Sequence, residues 1–170
     1  DYDYIYTREK LATLAGKKLH GKRNHIARFK DSGDWSYEPM TAENVEECRT
    51  MTYTWIHMRE EKWNEEMNQE ISVLHEAFDH MQELGLVGGV LRRDGQIVAF
   101  SIGERLNSET FVVHFEKAYP DLQGAYPMIN QQFVLHECEG YAYVNREEDT
   151  GDPGLRKAKL SYYPDILLPK

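Results

Sequence analysis

The sequence is poor in cysteine and has no long apolar run, and each absence excludes a class of protein. Cys48 and Cys138 are its only cysteines, and they lie far apart, outside any Cys-x-x-Cys motif. This excludes a disulfide-rich scaffold and a cysteine-based zinc site. No segment approaches the ~18–20 consecutive apolar residues of a membrane-spanning helix, so we expect no membrane span.

The chain also lacks targeting signals at its start and a serine hydrolase motif in its interior. The chain has neither an initiator methionine nor a signal peptide, and it begins at Asp1 inside an ordered-looking pattern. We therefore expect a piece of a longer, cytoplasmic protein. A Gly-x-Ser-x-Gly motif is also absent, which excludes the simplest serine hydrolase site.

The composition is that of an ordinary folded domain, but its charge is unevenly distributed. Of 170 residues, 41% are hydrophobic and 29% are charged, which fits a single globular domain. The net charge is −9, yet residues 7–30 carry eight lysines and arginines against the single Glu9. A basic segment on an acidic body predicts a local anion-binding site. The alternative is a solvated face that contacts the rest of a longer protein.

Hydrophobic periodicity predicts an α/β (α+β) fold, in which a mixed, mostly antiparallel sheet is flanked by helices. The predicted helices are 7–15, 22–30, one begun by Thr41, one ended by Gly85, one over 128–135, and 153–162. The predicted strands are 35–39, 89–93, 96–105, 110–117, 141–145 and 166–168. Three antiparallel strands, with a hairpin turn at Asp94-Gly95, precede a β-α-β crossover. Residues 1–34 form a basic helical connecting segment, and residues 35–170 form the lobe.

The basic segment contains a near-match to a nucleotide-binding loop. Residues 16–22 fit the first seven positions of the P-loop motif, but Arg23 stands where a serine or threonine must hold Mg²⁺. A helix, moreover, precedes the match where the motif requires a strand. Nucleotide hydrolysis is therefore disfavoured, and Lys22 and Arg23 remain candidates for holding phosphate groups.

Histidine spacing gives no support for a metal site. His75 and His80 are five residues apart, whereas two zinc ligands on one helical face need a spacing of four. His136 and Cys138 have no third ligand nearby. We predict no metal.

The third strand of the meander carries two titratable side chains. Strand alternation places Phe111, Val113 and Phe115 on one face and His114 and Glu116 on the other. Such a pair could act as a general base or proton relay. The alternative, slightly favoured by sequence alone, is a polar cross-strand pair on a half-wet sheet.

Two further groups of residues could bind a ligand. The helix that begins at Gly124, Ala125 and Tyr126 offers free backbone N–H groups to an anion. A polar loop and a basic, aromatic helix lie near the C-terminal end of the chain, before the last predicted strand. Their candidate residues are Asn145, Arg146, Arg156, Lys159 and Tyr162. Helical spacing puts Arg156, Lys159 and Tyr162 on one face. The Tyr162 hydroxyl could protonate a leaving group or could simply pack in the core.

Four segments together resemble one bacterial family over nearly the whole chain. They are 17–26, 114–118, 124–130, and 145–147 with 155–162. The family is related to the C-terminal domain of phosphatidylglycerol lysyltransferase. Its fold is similar to that of the GNAT N-acetyltransferases, and its soluble members resemble two such lobes in tandem. The resemblance implies that residues 35–170 are the acetyltransferase-like C-terminal lobe and that the partner is the protein's own N-terminal lobe.

The resemblance also implies a reaction: transfer of an acyl or aminoacyl group from acyl-CoA or aminoacyl-tRNA to an amine or hydroxyl. Gly124, Ala125 and Tyr126 take the place of the pyrophosphate-binding turn, although the full Gln/Arg-x-x-Gly-x-Gly/Ala motif is absent. Glu116 takes the place of a general base, so Glu116→Gln should lower turnover more than donor affinity. The basic segment would suit tRNA or an anionic lipid headgroup. The alternative is a non-catalytic ligand-binding or regulatory lobe.

Overall fold

The computed structural model describes residues 1–170, which form seven strands, six α-helices and two short 3-10 helices. The strands are β1 (Tyr2–Thr7), β2 (Trp35–Pro39), β3 (Val87–Arg93), β4 (Gln96–Arg105), β5 (Thr110–Ala118), β6 (Tyr143–Asn145) and β7 (Ile166–Pro169). The α-helices are α1 (Arg8–Thr13), α2 (His20–Asp31), α3 (Val45–Met58), α4 (Glu65–Asp79), α5 (Ala125–Glu137) and α6 (Pro153–Leu160). The 3-10 helices are Lys17–Leu19 and Glu60–Lys62.

All seven strands belong to one sheet in the order β2-β3-β4-β5-β6-β1-β7. Every neighbouring pair is antiparallel except β5 and β6, which are parallel and joined by α5. The predicted mixed, mostly antiparallel sheet, with its meander and β-α-β crossover, is confirmed. At one edge of the sheet, β7 pairs only with β1, and all four of its residues are exposed.

The first strand was not predicted, because residues 1–34 were expected to be helical. The two helices in this segment are present, but β1 precedes them and lies between β6 and β7. Its hydroxyl groups bond to the far end of the chain: Tyr4 donates to Asp149 over 2.6 Å, and Tyr6 donates to the Lys159 carbonyl over 2.5 Å. These partners are more than 140 residues away, so no local pattern indicates the strand.

Several helix boundaries differ from those predicted, including those placed at Thr41 and at Gly85. Helix α3 begins at Val45 after a turn in which Asn44 Oδ1 accepts the Thr41 N–H over 2.8 Å, so Thr41 is not its N-cap. Helix α4 ends at Asp79, and turns continue to Gly85, whose φ is 68°. In both cases the hydrophobic pattern of the helix continues into a neighbouring turn, so the pattern predicted a helix longer than the one observed.

The sheet separates two hydrophobic cores. The core beneath α1, α2 and α5 is built around Tyr6, Phe29 and Phe133, each of which is at most 1% exposed. The core beneath α3 and α4 contains Leu74 and Phe100, both fully buried. Each buried side chain of this size contributes roughly 1.5–3 kcal/mol. Both faces of the central strands are therefore covered, and the strand ends are the places where polar groups can reach solvent.

A β-bulge in β5 changes the predicted alternation of that strand. Ile102 pairs with Phe115, and the next residue, Gly103, pairs with Val113, so His114 has no partner on β4. The neighbouring backbone comes close to Gly103, where a Cβ atom would clash with the carbonyl oxygen of Val112. A bulge inserts one residue and so reverses which face the following side chains occupy.

Because of the bulge, the Phe115 side chain lies on the face of the sheet opposite to the one predicted. Phe111 and Val113 lie in the core beneath α5, but Phe115 lies in the core on the opposite face. Glu116 accordingly lies on the α5 side of the sheet, where it bonds to Asn130. The prediction that Phe111, Val113 and Phe115 share a face was wrong, because strand alternation assumes an unbroken register.

Candidate functional site

The candidate site lies where the parallel strands β5 and β6 separate. They are paired only from Thr110 to Val112 and from Tyr143 to Asn145. Glu116, four residues beyond the last paired position on β5, and Arg146, the residue after β6, meet across the gap. The bulge thus directs a carboxylate of β5 towards the segment that follows β6, and bulges commonly re-aim side chains in this way near active sites.

Two donors hold the Glu116 carboxylate. Arg146 Nη2 donates to Oε1 over 3.0 Å, and Asn130 Nδ2 of α5 donates to Oε2 over 3.0 Å. The Glu116 and Arg146 side chains are only 14% and 11% exposed. A hydrogen-bonded ion pair at this depth is strongly coupled, since removing either partner leaves an uncompensated charge.

Two aromatic rings hold the guanidinium of Arg146. Its carbon lies 4.8 Å from the ring centroid of Tyr162 and 5.7 Å from that of Tyr6. The Lys22 ammonium lies 4.3 Å from the Tyr162 ring. Burial raises the pKa of Tyr6 to about 12 and raises that of Tyr162 further, so both hydroxyls stay protonated. Tyr162 therefore contributes a cation-binding ring, and its role as an acid remains a prediction.

The cluster carries more positive than negative charge. Burial, followed by the nearby Arg146 cation, lowers the pKa of Lys22 and lowers that of Lys159 to about 8. The Lys159 ammonium donates to the backbone carbonyls of Arg146 and Glu148, so it fixes the loop that carries Arg146. Arg146, Lys22 and Lys159 are three cations near Glu116, and the nearby Glu147 is paired with His114. This excess of cations favours an anionic or strongly polarised ligand group.

His114, the residue at the bulge, lies between two carboxylates. One ring nitrogen is 3.1 Å from Glu147 Oε1, and the other is 2.8 Å from Glu104 Oε2. Because both nitrogens must donate to these acceptors, the charged imidazolium is favoured. The hydrogen bond with Glu147 is the main cause that raises the His114 pKa, against the effect of burial. A free lone pair for base catalysis would require one of these contacts to break.

The His114 cluster predicts a pH-dependent contribution to stability. A histidine whose pKa is raised on folding stabilises the fold fully below its unfolded pKa, ~6.5, and loses that contribution as pH rises through the folded pKa. We expect the stability advantage of wild type over His114→Gln, measured by urea unfolding, to shrink between pH 6 and pH 8. His20→Gln, at an exposed position on α2, is the control. A constant advantage across this range would contradict the prediction.

Three predicted ligand-binding residues have structural partners instead of facing the gap. Arg23 donates to the carbonyls of Leu14 and Gly16, over 2.5 and 2.7 Å, and so fixes the turn after α1. Asn145 Nδ2 donates to Asp3, and its Oδ1 accepts the backbone N–H of residue 147. Arg156 donates to Asp149 over 2.8 Å, beside Tyr4. Of the predicted set, Glu116, Arg146, Lys22, Lys159 and Tyr162 come together, and His114 is tied to the same loop.

The turn before α5 is closed against α2. Gly124 has a φ of 82°, and a Cβ atom there would clash with the carbonyl oxygen of His25. The N–H of Ala125 already donates to the Leu122 carbonyl over 3.2 Å, and the next residue but one, Pro127, has no N–H. Tyr126 accepts a hydrogen bond from Trp55 on the other side of the sheet. Few donors are left at this turn for a pyrophosphate group.

The sequence reasoning missed Asn130, Tyr6 and Glu147 as members of the site. Asn130 is 2% exposed, and its signals were a polar residue among the apolar positions of a helix and its place at the end of the resembling segment 124–130. Its Oδ1 atom and Nη1 of Arg146 are both buried and have no hydrogen-bond partner. A buried polar group without a partner costs about 1–3 kcal/mol, so these two atoms mark where a ligand's polar groups would be most stabilising.

No helix has the length and apolar character needed to cross a membrane. No group of three or more histidine, cysteine, aspartate or glutamate side chains is arranged to hold a metal ion.

Comparison with known proteins identifies relatives over the whole chain. An uncharacterised protein of Mycoplasmoides gallisepticum is 25% identical over 171 residues, which is 98% of this chain and 54% of that protein. A conserved protein of unknown function from Bacteroides thetaiotaomicron is 46% identical, with a TM-score of 0.94 over 98% of this chain and 57% of that one. The chain thus spans little more than half the length of these relatives.

Two solved structures of lower identity share the fold. The structure of L-PGS from Bacillus licheniformis is 16% identical, with a TM-score of 0.65 over 98% of this chain and 57% of that one. A tandem GNAT protein from the clavulanic acid biosynthesis pathway is 8% identical, with a TM-score of 0.52 over 95% of this chain and 48% of that one. The predicted acetyltransferase-like fold is confirmed.

A match to one protein-family model extends over the full chain. Residues 1–170 match the family described as phosphatidylglycerol lysyltransferase, C-terminal, which confirms the predicted resemblance. In the relatives this region is accompanied by a further part of comparable length. The chain belongs to the family of phosphatidylglycerol lysyltransferase C-terminal domains.

Proposed function

We propose that this chain transfers an aminoacyl group from aminoacyl-tRNA to a hydroxyl or amino group of an acceptor. The observation that carries the proposal is the Arg146 guanidinium, which is fixed by Glu116 and two aromatic rings yet keeps a buried, unpartnered Nη1 donor. A preorganised donor in a water-poor site is what a developing oxyanion requires, and it costs no reorganisation during the reaction.

In the proposed reaction the acceptor's oxygen or nitrogen attacks the ester carbonyl carbon of the aminoacyl-tRNA. The carbonyl oxygen becomes an oxyanion, to which Arg146 Nη1 donates. The bond from the carbonyl carbon to the ribose oxygen then breaks, and that oxygen leaves with the proton that the acceptor has lost. Glu116, as the carboxylate of the cluster, would carry this proton from acceptor to leaving group. No oxidant, metal or other co-reactant is needed for this exchange to balance.

Two features favour tRNA over acyl-CoA as the donor. The turn before α5 has few free N–H groups and faces the backbone carbonyl of His25, which would repel a pyrophosphate. Helix α2, by contrast, presents exposed cationic side chains, including Arg28 and Lys30, on the side of the sheet that holds Lys22. Spaced cations on a helix suit the phosphate backbone of a nucleic acid.

The acceptor is proposed from the relatives alone. The family description names phosphatidylglycerol, whose glycerol headgroup offers hydroxyl nucleophiles beside a phosphate. The cationic cluster would attract that phosphate, so vesicles containing phosphatidylglycerol are the first acceptor to test. Soluble amines are the second class of acceptor to test.

The experiment uses the full-length protein and total tRNA charged with radiolabelled amino acids. We expect label to move from tRNA into the organic phase in the presence of phosphatidylglycerol vesicles, or into a soluble amine. A parallel assay with acetyl-CoA, which measures release of the CoA thiol, should show no turnover. Binding of tRNA should weaken steeply as salt rises, because phosphate contacts release counterions.

Different results of these assays would indicate a different function. Turnover of acetyl-CoA would overturn the choice of donor. Salt-sensitive binding of charged tRNA without transfer to any acceptor would overturn catalysis and favour the ligand-binding or regulatory lobe.

A further inference from the structure

We infer that Asn130 is a specificity-determining residue that binds the amino group of the transferred α-aminoacyl group, so that the site rejects simple acyl groups. The inference rests on the proposed function and specifies its substrate. It is carried by two unpartnered atoms of opposite kind on either side of Glu116: the acceptor Oδ1 of Asn130 and the donor Nη1 of Arg146.

The orientation of the Asn130 amide is fixed by its neighbours. The carboxylate of Glu116, bonded at the same time to Arg146, only accepts hydrogen bonds, so the amide must turn Nδ2 towards it. Oδ1 consequently points away from Glu116 as a free acceptor. Ile129 and Phe133, beside it on α5, are at most 1% exposed, so packing holds this part of the helix in place.

An α-aminoacyl ester carries the complementary pair of groups on adjacent carbon atoms. Its carbonyl oxygen accepts a hydrogen bond, which Arg146 Nη1 can donate. Its amino group donates hydrogen bonds, one of which Asn130 Oδ1 can accept. Such a substrate carries the group that each of the two buried atoms lacks, and the contact at Asn130 does not occupy the Glu116 oxygen that holds Arg146.

Other ligand classes leave one atom unsatisfied. A fully ionised phosphate or carboxylate could accept from Arg146 Nη1, but it could not donate to Asn130 Oδ1. An acetyl or fatty acyl group has the carbonyl and lacks the donor, so Asn130 Oδ1 would stay buried without a partner. A site built to hydrogen-bond a substrate group discriminates strongly against the analogue that lacks it.

The test measures binding of small amides that mimic the two kinds of acyl group. The full-length protein is titrated, with detection by ligand-observed NMR, against three α-amino amides and their des-amino analogues. The pairs are alaninamide and propionamide, valinamide and isovaleramide, and lysinamide and aminocaproamide. We expect at least one α-amino amide to bind about tenfold or more tightly than its analogue, the effect of about one hydrogen bond.

The matched variants are on the same helix. Asn130→Leu removes both amide atoms at nearly constant volume and should abolish the preference within each pair. Gln132→Leu removes another buried amide of α5, 5% exposed, and should leave the preference unchanged. Equal affinities within every pair in the wild type would overturn the inference without any variant. So would a preference that survives Asn130→Leu.

Failure of the inference can be distinguished from failure of the proposed function. If tRNA carrying a des-amino acyl group supports transfer as fast as aminoacyl-tRNA, the inference is wrong and the transferase function stands. If no tRNA-dependent transfer occurs but the amide preference is present and depends on Asn130, then Asn130 binds an α-amino group and the transferase function is wrong.

Discussion

Arg146→Met is expected to lower the free energy of unfolding by about 3–5 kcal/mol, the usual cost of removing one partner of a buried ion pair. Methionine can fill the space beside the rings of Tyr6 and Tyr162, so loss of packing is a minor part of the effect. The main cost is that Glu116, 14% exposed, keeps its charge and loses the guanidinium that offsets it. Urea unfolding monitored by circular dichroism measures the change.

A second substitution separates the charge effect from the change of shape. In the double variant Arg146→Met with Glu116→Gln, the carboxylate is replaced by a neutral amide that still accepts from Asn130. We expect this variant to regain roughly half of the lost stability, because no unpaired charge remains buried. A double variant less stable than Arg146→Met alone would contradict a charge-based cause.

Arg49→Met is the matched control for this prediction. Arg49 also bonds to two carboxylates, those of Glu46 and Asp79, but they are 72% and 55% exposed. Water can solvate these carboxylates when the arginine is removed, so the expected loss is below about 1 kcal/mol. If both arginine substitutions cost the same, the burial of the Glu116 pair has no special effect.

Arg146→Lys is expected to reduce turnover about 100- to 1,000-fold under the proposed reaction, the usual effect of removing one oxyanion donor. Lysine keeps the charge beside Glu116, so the fold should be retained. Its single ammonium cannot reproduce the planar fork that bonds Glu116 through one nitrogen and presents the other to the substrate. Single-turnover transfer from charged tRNA measures the effect on the chemical step.

The control for turnover is Arg49→Lys, which makes the same chemical change on the opposite face of the sheet. We expect it to transfer at the wild-type rate. A loss of less than tenfold in Arg146→Lys would remove Arg146 Nη1 from the reaction. A large loss in donor affinity with an unchanged rate for bound donor would make Arg146 a binding residue instead.

The parts of the fold that sequence predicted are those with local signals. The hairpin at Asp94-Gly95 and the β-α-β crossover at α5 follow from turn residues and periodicity within short windows. Strand β1 has no such signal, because its partners lie near residues 143 and 166. A strand specified by contacts so distant in sequence cannot be found from the pattern of its own six residues.

The candidate site was predicted only in part, for the same reason. Glu116, Lys22 and Arg146 were identified by charge and position, but their meeting depends on the bulge at His114. A bulge is a property of two strands in register and has no signature within one strand. Asn130 was missed because a buried polar residue on a helix differs from a solvated one only through its tertiary neighbours.

The edge strand β7 has a practical consequence for work on this chain in isolation. Ile166, Leu167 and Leu168 are 40–47% exposed, and the outer side of the strand leaves backbone N–H and C=O groups unpaired. An apolar edge of this kind is a template for strand addition and aggregation, and natural sheets usually guard it with charges or a covering segment. Leu167→Lys would place such a charge on the edge strand and should reduce aggregation of this chain without touching the Glu116 site.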